Sequence, residues 1–148
     1  MDASYLLDSN LLVYCFDEEE PEKKDRALAT IDRVGRLPKA ALPSQVLAEF
    51  SNVALYKLEP PLSPDEVNEQ VELYREVFPV LPLTSSMILE AIRGVRDHSF
   101  SYFDAQIWAA AKLNQVPVVL SEDFPVGATI EGVTFVNPLS DEVDLADL

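Results

Sequence analysis

Residues 5–14, YLLDSNLLVY, begin with a short apolar run that ends at the carboxylate of Asp8. Because continuous apolar runs of this length are typical of strands covered on both faces, Tyr5-Leu6-Leu7 predicts a short buried strand. Similar runs predict four more strands, at residues 40–42, 80–83, 116–120 and 133–136, of which the first is weak by composition. Pro82 places its run at an edge of the sheet or at the end of a strand.

Longer segments with helical periodicity separate these runs, at residues 21–36, 44–57, 63–78, 86–96 and 102–114. The third segment begins with Ser63-Pro64-Asp65-Glu66, which combines a capping residue, a first-turn proline and a glutamate placed for a capping box. The alternation of strands and helices predicts an α/β fold with three α/β/α layers and a small, mostly parallel central sheet.

The length of 148 residues fits one domain. We assign residues 1–139 to that domain and expect residues 140–148, which contain four acidic residues, to form a frayed tail. A single cysteine excludes an intrachain disulfide. Because no targeting segment or membrane-spanning run is visible, we expect a cytoplasmic protein without a membrane partner.

The net charge of −15 argues against a broad nucleic-acid-binding surface, since nucleic-acid binders usually carry a basic face. Acidic residues interleave with the main basic stretch, which favours a solvated helix face. That stretch holds six of the eleven basic residues: Lys23, Lys24, Arg26, Arg33, Arg36 and Lys39. Bound metal ions would also reverse the local charge of an acidic pocket.

Four acidic residues stand after strands or on inward helix faces. Asp8 follows the first strand directly, and Asp123 comes three residues after the run that ends at Leu120. If these strands are parallel neighbours, both carboxylates lie at the sheet edge where ligands of open α/β sheets gather. Glu49 lies at the margin of an apolar helix face, and Asp104 on the inward side of a helix. Buried carboxylates need partners, and metal ions would supply the missing charge.

Each of these acids also fits a purely structural role, and Glu122 is expected to face solvent. The structural roles are a helix cap or turn for Asp8, a solvated margin position for Glu49, a capping box with Ser101 for Asp104, and a turn for Asp123.

Clustered carboxylates offer oxygen ligands, which suit Mg²⁺ or Mn²⁺ rather than zinc. The only histidine, His98, stands at a predicted helix end and is interpreted as a surface or capping residue. Because no histidine or lysine is placed as a general base, we expect metal ions to activate water for displacement at a phosphodiester.

Four blocks of the sequence resemble, in the right order, the signature segments of PIN domains. They are residues 6–14 (LLDSNLLVY), 43–50 (PSQVLAEF), 101–105 (SYFDA, followed by an alanine-rich stretch) and 120–124 (LSEDF). Residues 132–139 are similar to the closing strand of these proteins. One block would be weak evidence, whereas four in order over nearly the whole chain are specific, and they imply a PIN-like fold.

The resemblance extends to the VapC-like toxins of bacterial and archaeal toxin–antitoxin pairs. It implies Mg²⁺- or Mn²⁺-dependent endonucleolytic cleavage of RNA, often tRNA or ribosomal RNA. The acidic site that it implies consists of Asp8, Glu49, Asp104 and Asp123, supported by the polar residues Asn10, Ser44 and Ser121. It also implies a homodimer and a cognate antitoxin that covers the site, often by inserting a basic side chain among the acids.

Other interpretations of the aspartate after the first strand fit less well. A haloacid-dehalogenase-like phosphatase needs a second aspartate where this chain has Asn10, and the only lysine after Lys57 is Lys112, in the wrong context. A phospho-acceptor receiver domain needs a lysine near residues 133–136, which contain none. Two alternatives stay open: a PIN-like binding module without catalysis, and a DNA-directed nuclease, since metal-assisted cleavage needs no 2′-hydroxyl.

Overall fold

The computed structural model describes residues 3–36, 39–125 and 127–148. Within these ranges the strands are β1 (Tyr5–Leu7), β2 (Ala40–Pro43), β3 (Val80–Leu81), β4 (Val118–Leu120), β5 (Thr129–Ile130) and β6 (Val133–Val136). The α-helices are α1 (Ser9–Tyr14), α2 (Pro21–Arg36), α3 (Ser44–Tyr56), α4 (Pro64–Val77), α5 (Ser85–His98) and α6 (Tyr102–Leu113), and a 3-10 turn spans Leu145–Asp147. None of the described helices combines the length and the apolar character needed to cross a membrane.

The six strands form one sheet in the order β3-β2-β1-β4-β6-β5. All neighbouring pairs are parallel except β5 and β6, so the sheet is mostly parallel, as predicted. The chain moves outward from β1 through β2 to β3 and then returns to the other side of β1 with β4. This reversal makes the gap between β1 and β4 a topological switch point, where ligands of open α/β sheets bind beyond the carboxyl ends of the strands.

Both faces of the central strands are covered. Leu6 and Leu7 are consecutive in β1, so their side chains point to opposite faces of the sheet, and both are fully buried. The same holds for Ala41 and Leu42 in β2. Because parallel sheets of this kind are buried on both sides by helices, the predicted three-layer α/β/α arrangement is confirmed.

Sequence periodicity missed two short elements and misplaced some ends. Helix α1 has six residues, too few for a helical repeat to show, and β5 has only two. Strand β4 begins at Val118 rather than at residue 116, because the Val116 amide donates to the carbonyl of Ala111 in α6 and not to a neighbouring strand. By contrast, the capping box between Ser63 and Glu66 that starts α4 is confirmed.

The last nine residues lie along α2, an arrangement that the expectation of a frayed tail did not include. Two arginines of α2 donate to main-chain carbonyls of this part of the chain and of Pro138, just before it. Arg26 binds the carbonyls of Pro138 and Val143, and Arg33 binds those of Ala146 and Leu148, at 2.7 to 3.1 Å. Sequence patterning cannot reveal such contacts, since every residue offers a carbonyl, and the division at residue 139 stays a prediction.

Candidate active site

Asp8 occupies the switch point of the sheet. Its amide donates to the Leu120 carbonyl at 3.1 Å and so continues the pairing of β1 with β4, while the residue is only 4% exposed. One carboxylate oxygen, Oδ1, accepts the Ser9 amide at 2.7 Å and caps α1. The other, Oδ2, accepts the hydroxyl of Ser121 at 2.7 Å. Asp8 therefore fulfils the helix-cap role and also lies where the sheet predicts a ligand site.

Ser121 connects the residues around Asp8. Besides donating to Asp8, its Oγ accepts a hydrogen bond from the Asn10 side-chain amide and another from the Asp123 main-chain amide, both at 3.1 Å. The side-chain oxygen Oδ1 of Asn10 is buried and has no partner among the described residues. The structure therefore brings Asn10, Ser121 and Asp123 together around the buried carboxylate.

Glu49 is held on α3 by residues that the sequence analysis missed. The Ser9 hydroxyl donates to Oε2 of Glu49 at 3.1 Å, and the side-chain amide of Gln45 donates to Oε1. Gln45 in turn accepts a hydrogen bond of 2.6 Å from the buried Gln106 of α6. The available signal was the spacing of four residues between Gln45 and Glu49, which places both side chains on one helix face.

Asp104 and Asp123 form the outer part of the acidic group. Asp104 is half-buried in the first turn of α6, and the capping box with Ser101 is absent, since Ser101 makes no side-chain capping bond in the structure. Asp123 lies in a bend after β4 with an exposed side chain, so its turn role is also compatible with the structure. Both acids therefore remain accessible from solvent, unlike Asp8.

The acids influence one another electrostatically. The pKa of Asp8 is raised from 3.8 to about 6, mainly by burial. Hydrogen bonds from Ser121 and Ser9 oppose the rise, and the charges of Glu49 and Asp123 contribute to it. Desolvation also raises the pKa of Asp123, where the charge of Asp104 adds to the effect. Glu49, Asp8, Asp123 and Asp104 thus form a series of neighbouring negative charges, and no lysine or arginine in the described ranges contributes to the pKa of Asp8 or of Asp123.

Two neighbouring residues have hydrogen-bond partners that the sequence did not indicate. Glu122 was expected to face solvent, which is wrong: its carboxylate accepts the Tyr14 hydroxyl at 2.6 Å and the Lys23 ammonium at 3.2 Å. Ser44 accepts the Leu83 amide at 3.1 Å and so supports the connection after β3. Among the residues described, Ser44 makes no hydrogen bond with any of the four acids, and its supporting role stays a prediction.

The donor set around Asp8 fits a hard divalent cation. All of its candidate ligands are carboxylate or amide oxygens, including the unpartnered Asn10 Oδ1, and such oxygens are the ligands that Mg²⁺ prefers. In the described part of the chain, however, no three histidine, cysteine, aspartate or glutamate side chains already stand close enough together to hold an ion. His98 takes no part, because it is paired with Glu131 at the end of α5.

Comparison with known proteins identifies the family. Residues 5–124 match the family model described as PIN domain, which covers most of the chain and all four acids. The chain belongs to the PIN domain family. No curated protein matches it in sequence. The resemblance seen in the four sequence blocks is therefore confirmed at the level of the family.

Solved structures similar to this PIN domain include VapC toxins. A toxin–antitoxin complex from Klebsiella pneumoniae matches with a TM-score of 0.64 at 18% identity, covering 91% of this chain and 98% of that one. VapC20 of Mycobacterium tuberculosis, described as a sarcin–ricin loop cleaving toxin, matches with a TM-score of 0.63 at 14% identity. The match covers 86% of this chain and 98% of VapC20. DNA-bound VapBC of Salmonella typhimurium matches with a TM-score of 0.60 at 17% identity, covering 90% of this chain and 96% of the matched chain. At these identities the likeness shows the fold.

Proposed function

We propose that this PIN domain is a metal-dependent endoribonuclease that acts as the toxin of a toxin–antitoxin pair. The observation that carries the proposal is Asp8, a buried carboxylate at the switch point of the sheet with a pKa raised to about 6. Two further acids raise its pKa, and no cation among the residues that the structure describes lowers it. Such an arrangement costs stability in an isolated chain, and it is the arrangement expected where a bound cation is part of the function.

Mg²⁺ or Mn²⁺ would be held by oxygens of Asp8, Glu49, Asp104 and Asp123. When bound, the metal supplies activation of water and neutralisation of charge at the scissile phosphodiester. The chain contributes positioning. Ser121 and the Ser9 amide fix both oxygens of Asp8, and the side-chain amide of Gln45 fixes Glu49. At neutral pH a carboxyl with a pKa of about 6 is mostly ionised, so Asp8 is ready to act as a ligand.

The partner proposed for this chain is a cognate antitoxin. Support comes from the similar structures, which include a Klebsiella pneumoniae toxin–antitoxin complex and the VapBC of Salmonella typhimurium. The acidic site also has the chemistry to accept a basic side chain, since Asp8 and Asp123 have no cationic partner within residues 3–36, 39–125 and 127–148. A homodimer and a cytoplasmic location belong to the same proposal and rest on the likeness to VapC toxins.

The test is cleavage of a panel of structured RNAs by the purified chain in Mg²⁺, in Mn²⁺ and in EDTA. Asp104→Asn is compared with Asp25→Asn, which removes the same charge from an exposed position on α2. We expect metal-dependent cutting that Asp104→Asn loses and Asp25→Asn retains. The panel also contains single-stranded DNA of matching sequence, which separates a ribonuclease from a nuclease without sugar specificity.

Three results would count against parts of the proposal. Cutting that persists in EDTA would contradict the metal requirement, and cutting that survives Asp104→Asn would contradict the acidic site. No cutting in either metal, by a preparation shown by mass spectrometry to contain no second protein, would favour a binding module without catalysis.

A further inference from the structure

Beside the acids lies a second polar cluster, formed by Tyr14, Lys23 and Glu122. The Tyr14 hydroxyl donates to Oε1 of Glu122 at 2.6 Å, and the Lys23 ammonium lies 3.2 Å from Oε2 of the same carboxylate. Lys23 also donates to the Tyr14 hydroxyl at 3.3 Å and lies 5.0 Å from the centre of its ring. Two donors from different helices therefore converge on one carboxylate.

The cluster is built on the same two segments as the acidic site. Tyr14 is the last residue of α1, the helix that Asp8 caps. Glu122 stands between Ser121, which holds Asp8, and Asp123. The charge of Glu122 reaches the acids, since it helps to raise the pKa of Asp123. Lys23 is therefore a cation one contact away from the acidic group.

We propose that Lys23 and Tyr14 bind a backbone phosphate of the RNA next to the scissile bond, and that Glu122 occupies this phosphate position until RNA arrives. The inference rests on the ribonuclease function proposed above. A carboxylate and a phosphate are both anionic oxygen acceptors, so donors that hold one can hold the other. Lys23 can exchange partners because 40% of its side chain is exposed, whereas Glu122 is 21% exposed.

A purely structural ion pair makes a different prediction from a phosphate site. If Lys23 only fixed the loop after β4, removing Lys23 or Glu122 would disturb the acids in the same way and lower kcat. If Lys23 binds phosphate and Glu122 competes with it, the two substitutions act on RNA affinity in opposite directions. The sign of the effect on affinity therefore separates the two interpretations.

The experiment measures kcat and KM for RNA cleavage, and the Kd of a short single-stranded RNA in the inactive Asp104→Asn background, from about 50 to 200 mM salt. Lys23→Gln is matched with Lys24→Gln, which removes the same charge from the neighbouring residue. Lys24 is a suitable control because it pairs with Glu18, outside the acidic site. Glu122→Gln is the third variant.

We expect Lys23→Gln to weaken RNA binding about eightfold at 50 mM salt and to reduce the slope of log Kd against log salt by about 0.7, which corresponds to one lost phosphate contact on single-stranded RNA. KM rises in parallel and kcat is unchanged. Lys24→Gln changes Kd less than twofold. Glu122→Gln tightens binding about 1.5- to fivefold, the range that corresponds to the strength of an exposed ion pair.

Equal effects of Lys23→Gln and Lys24→Gln would overturn the phosphate site, as would a loss of kcat at constant KM in Lys23→Gln. Weaker binding by Glu122→Gln would overturn the role of Glu122 as a competitor. These outcomes leave the ribonuclease function intact, because the wild-type chain still cuts. If the wild-type chain neither bound nor cut RNA, the proposed function and this inference would fall together.

Discussion

Replacing Asp8 with asparagine should remove a pH-dependent loss of stability from the metal-free chain. In the folded chain the pKa of Asp8 is raised from 3.8 to about 6, mainly by burial. The folded state therefore binds more protons than the unfolded state between these two pH values. Because stability falls with rising pH wherever the folded state holds the extra proton, the Asp8 contribution is fully present only well below about pH 4 and is lost by about pH 6.

The size of this loss follows from the two pKa values. At about 1.4 kcal/mol for each pH unit that separates them, ionisation of Asp8 costs the folded chain about 3 kcal/mol. Asparagine cannot ionise, so the free energy of unfolding of Asp8→Asn lacks this component. Asparagine also changes the bond with Ser121 at every pH. The prediction therefore concerns how the difference in the free energy of unfolding between wild type and Asp8→Asn changes with pH. It does not concern the size of that difference at any one pH.

The assay is urea unfolding in EDTA at constant ionic strength, from pH 4 to pH 7.5, for the wild type, Asp8→Asn and Asp25→Asn. The free energy of unfolding of the wild type, relative to that of Asp8→Asn, should fall by about 2.5 kcal/mol over this range, since part of the loss already occurs below pH 4. Relative to Asp25→Asn, which loses an exposed charge, it should change far less. If the difference in the free energy of unfolding between wild type and Asp8→Asn stayed constant from pH 4 to 7.5, the argument from burial would be refuted.

Three further predictions concern the support of the acids, the core and the binding of RNA. Gln45→Leu removes the donor that holds Glu49, so cleavage should slow about tenfold, and an unchanged rate would show that Glu49 needs no support. The same substitution leaves the buried Gln106 amide without its acceptor and should lower the free energy of unfolding by about 1–3 kcal/mol. Gly94→Ala would place a Cβ 2.8 Å from the Trp108 ring and should destabilise the fold by about 1–3 kcal/mol in thermal unfolding. In the control Gly35→Ala the added Cβ makes only ordinary van der Waals contacts, beginning at 3.5 Å. An equal loss of stability in this control would contradict the explanation by a clash with Trp108. RNA binding in Mg²⁺ should weaken only about sevenfold between 50 and 200 mM salt, as expected for about two phosphate contacts, and a loss of a thousandfold would indicate a larger basic surface.

The sequence predicted those parts of the fold that depend on local patterning. The α/β class follows from the alternation of apolar runs with helical segments, and the start of α4 follows from the capping box between Ser63 and Glu66. The adjacency of β1 and β4 is different, because it joins residues more than a hundred positions apart. Sequence spacing suggested that Asp8 and Asp123 would meet only on the assumption that these strands are neighbours, and the sheet order supplies that fact.

The errors at the site have a common physical cause. Glu122 was expected to face solvent because charged residues in loops usually do, yet its carboxylate accepts hydrogen bonds from Tyr14 and Lys23. Gln106 drew no attention because it lies in a helix whose neighbouring residues are apolar. In both cases the deciding partner comes from a distant part of the chain. Single-sequence patterns show which residues are charged or polar, but only the fold shows which of them meet.

The structure shows which partners the basic residues of α2 bind. A net charge of −15 repels RNA unless basic residues are free to bind it. Most basic residues of α2 already bind other groups of the chain. Arg26 and Arg33 bind main-chain carbonyls of the last residues, and Lys24 pairs with Glu18. Lys23 differs from them because its partner adjoins the acidic group. In the proposed function, attraction for RNA comes from a metal among the acids and from Lys23, so EDTA should weaken RNA binding as well as abolish cleavage.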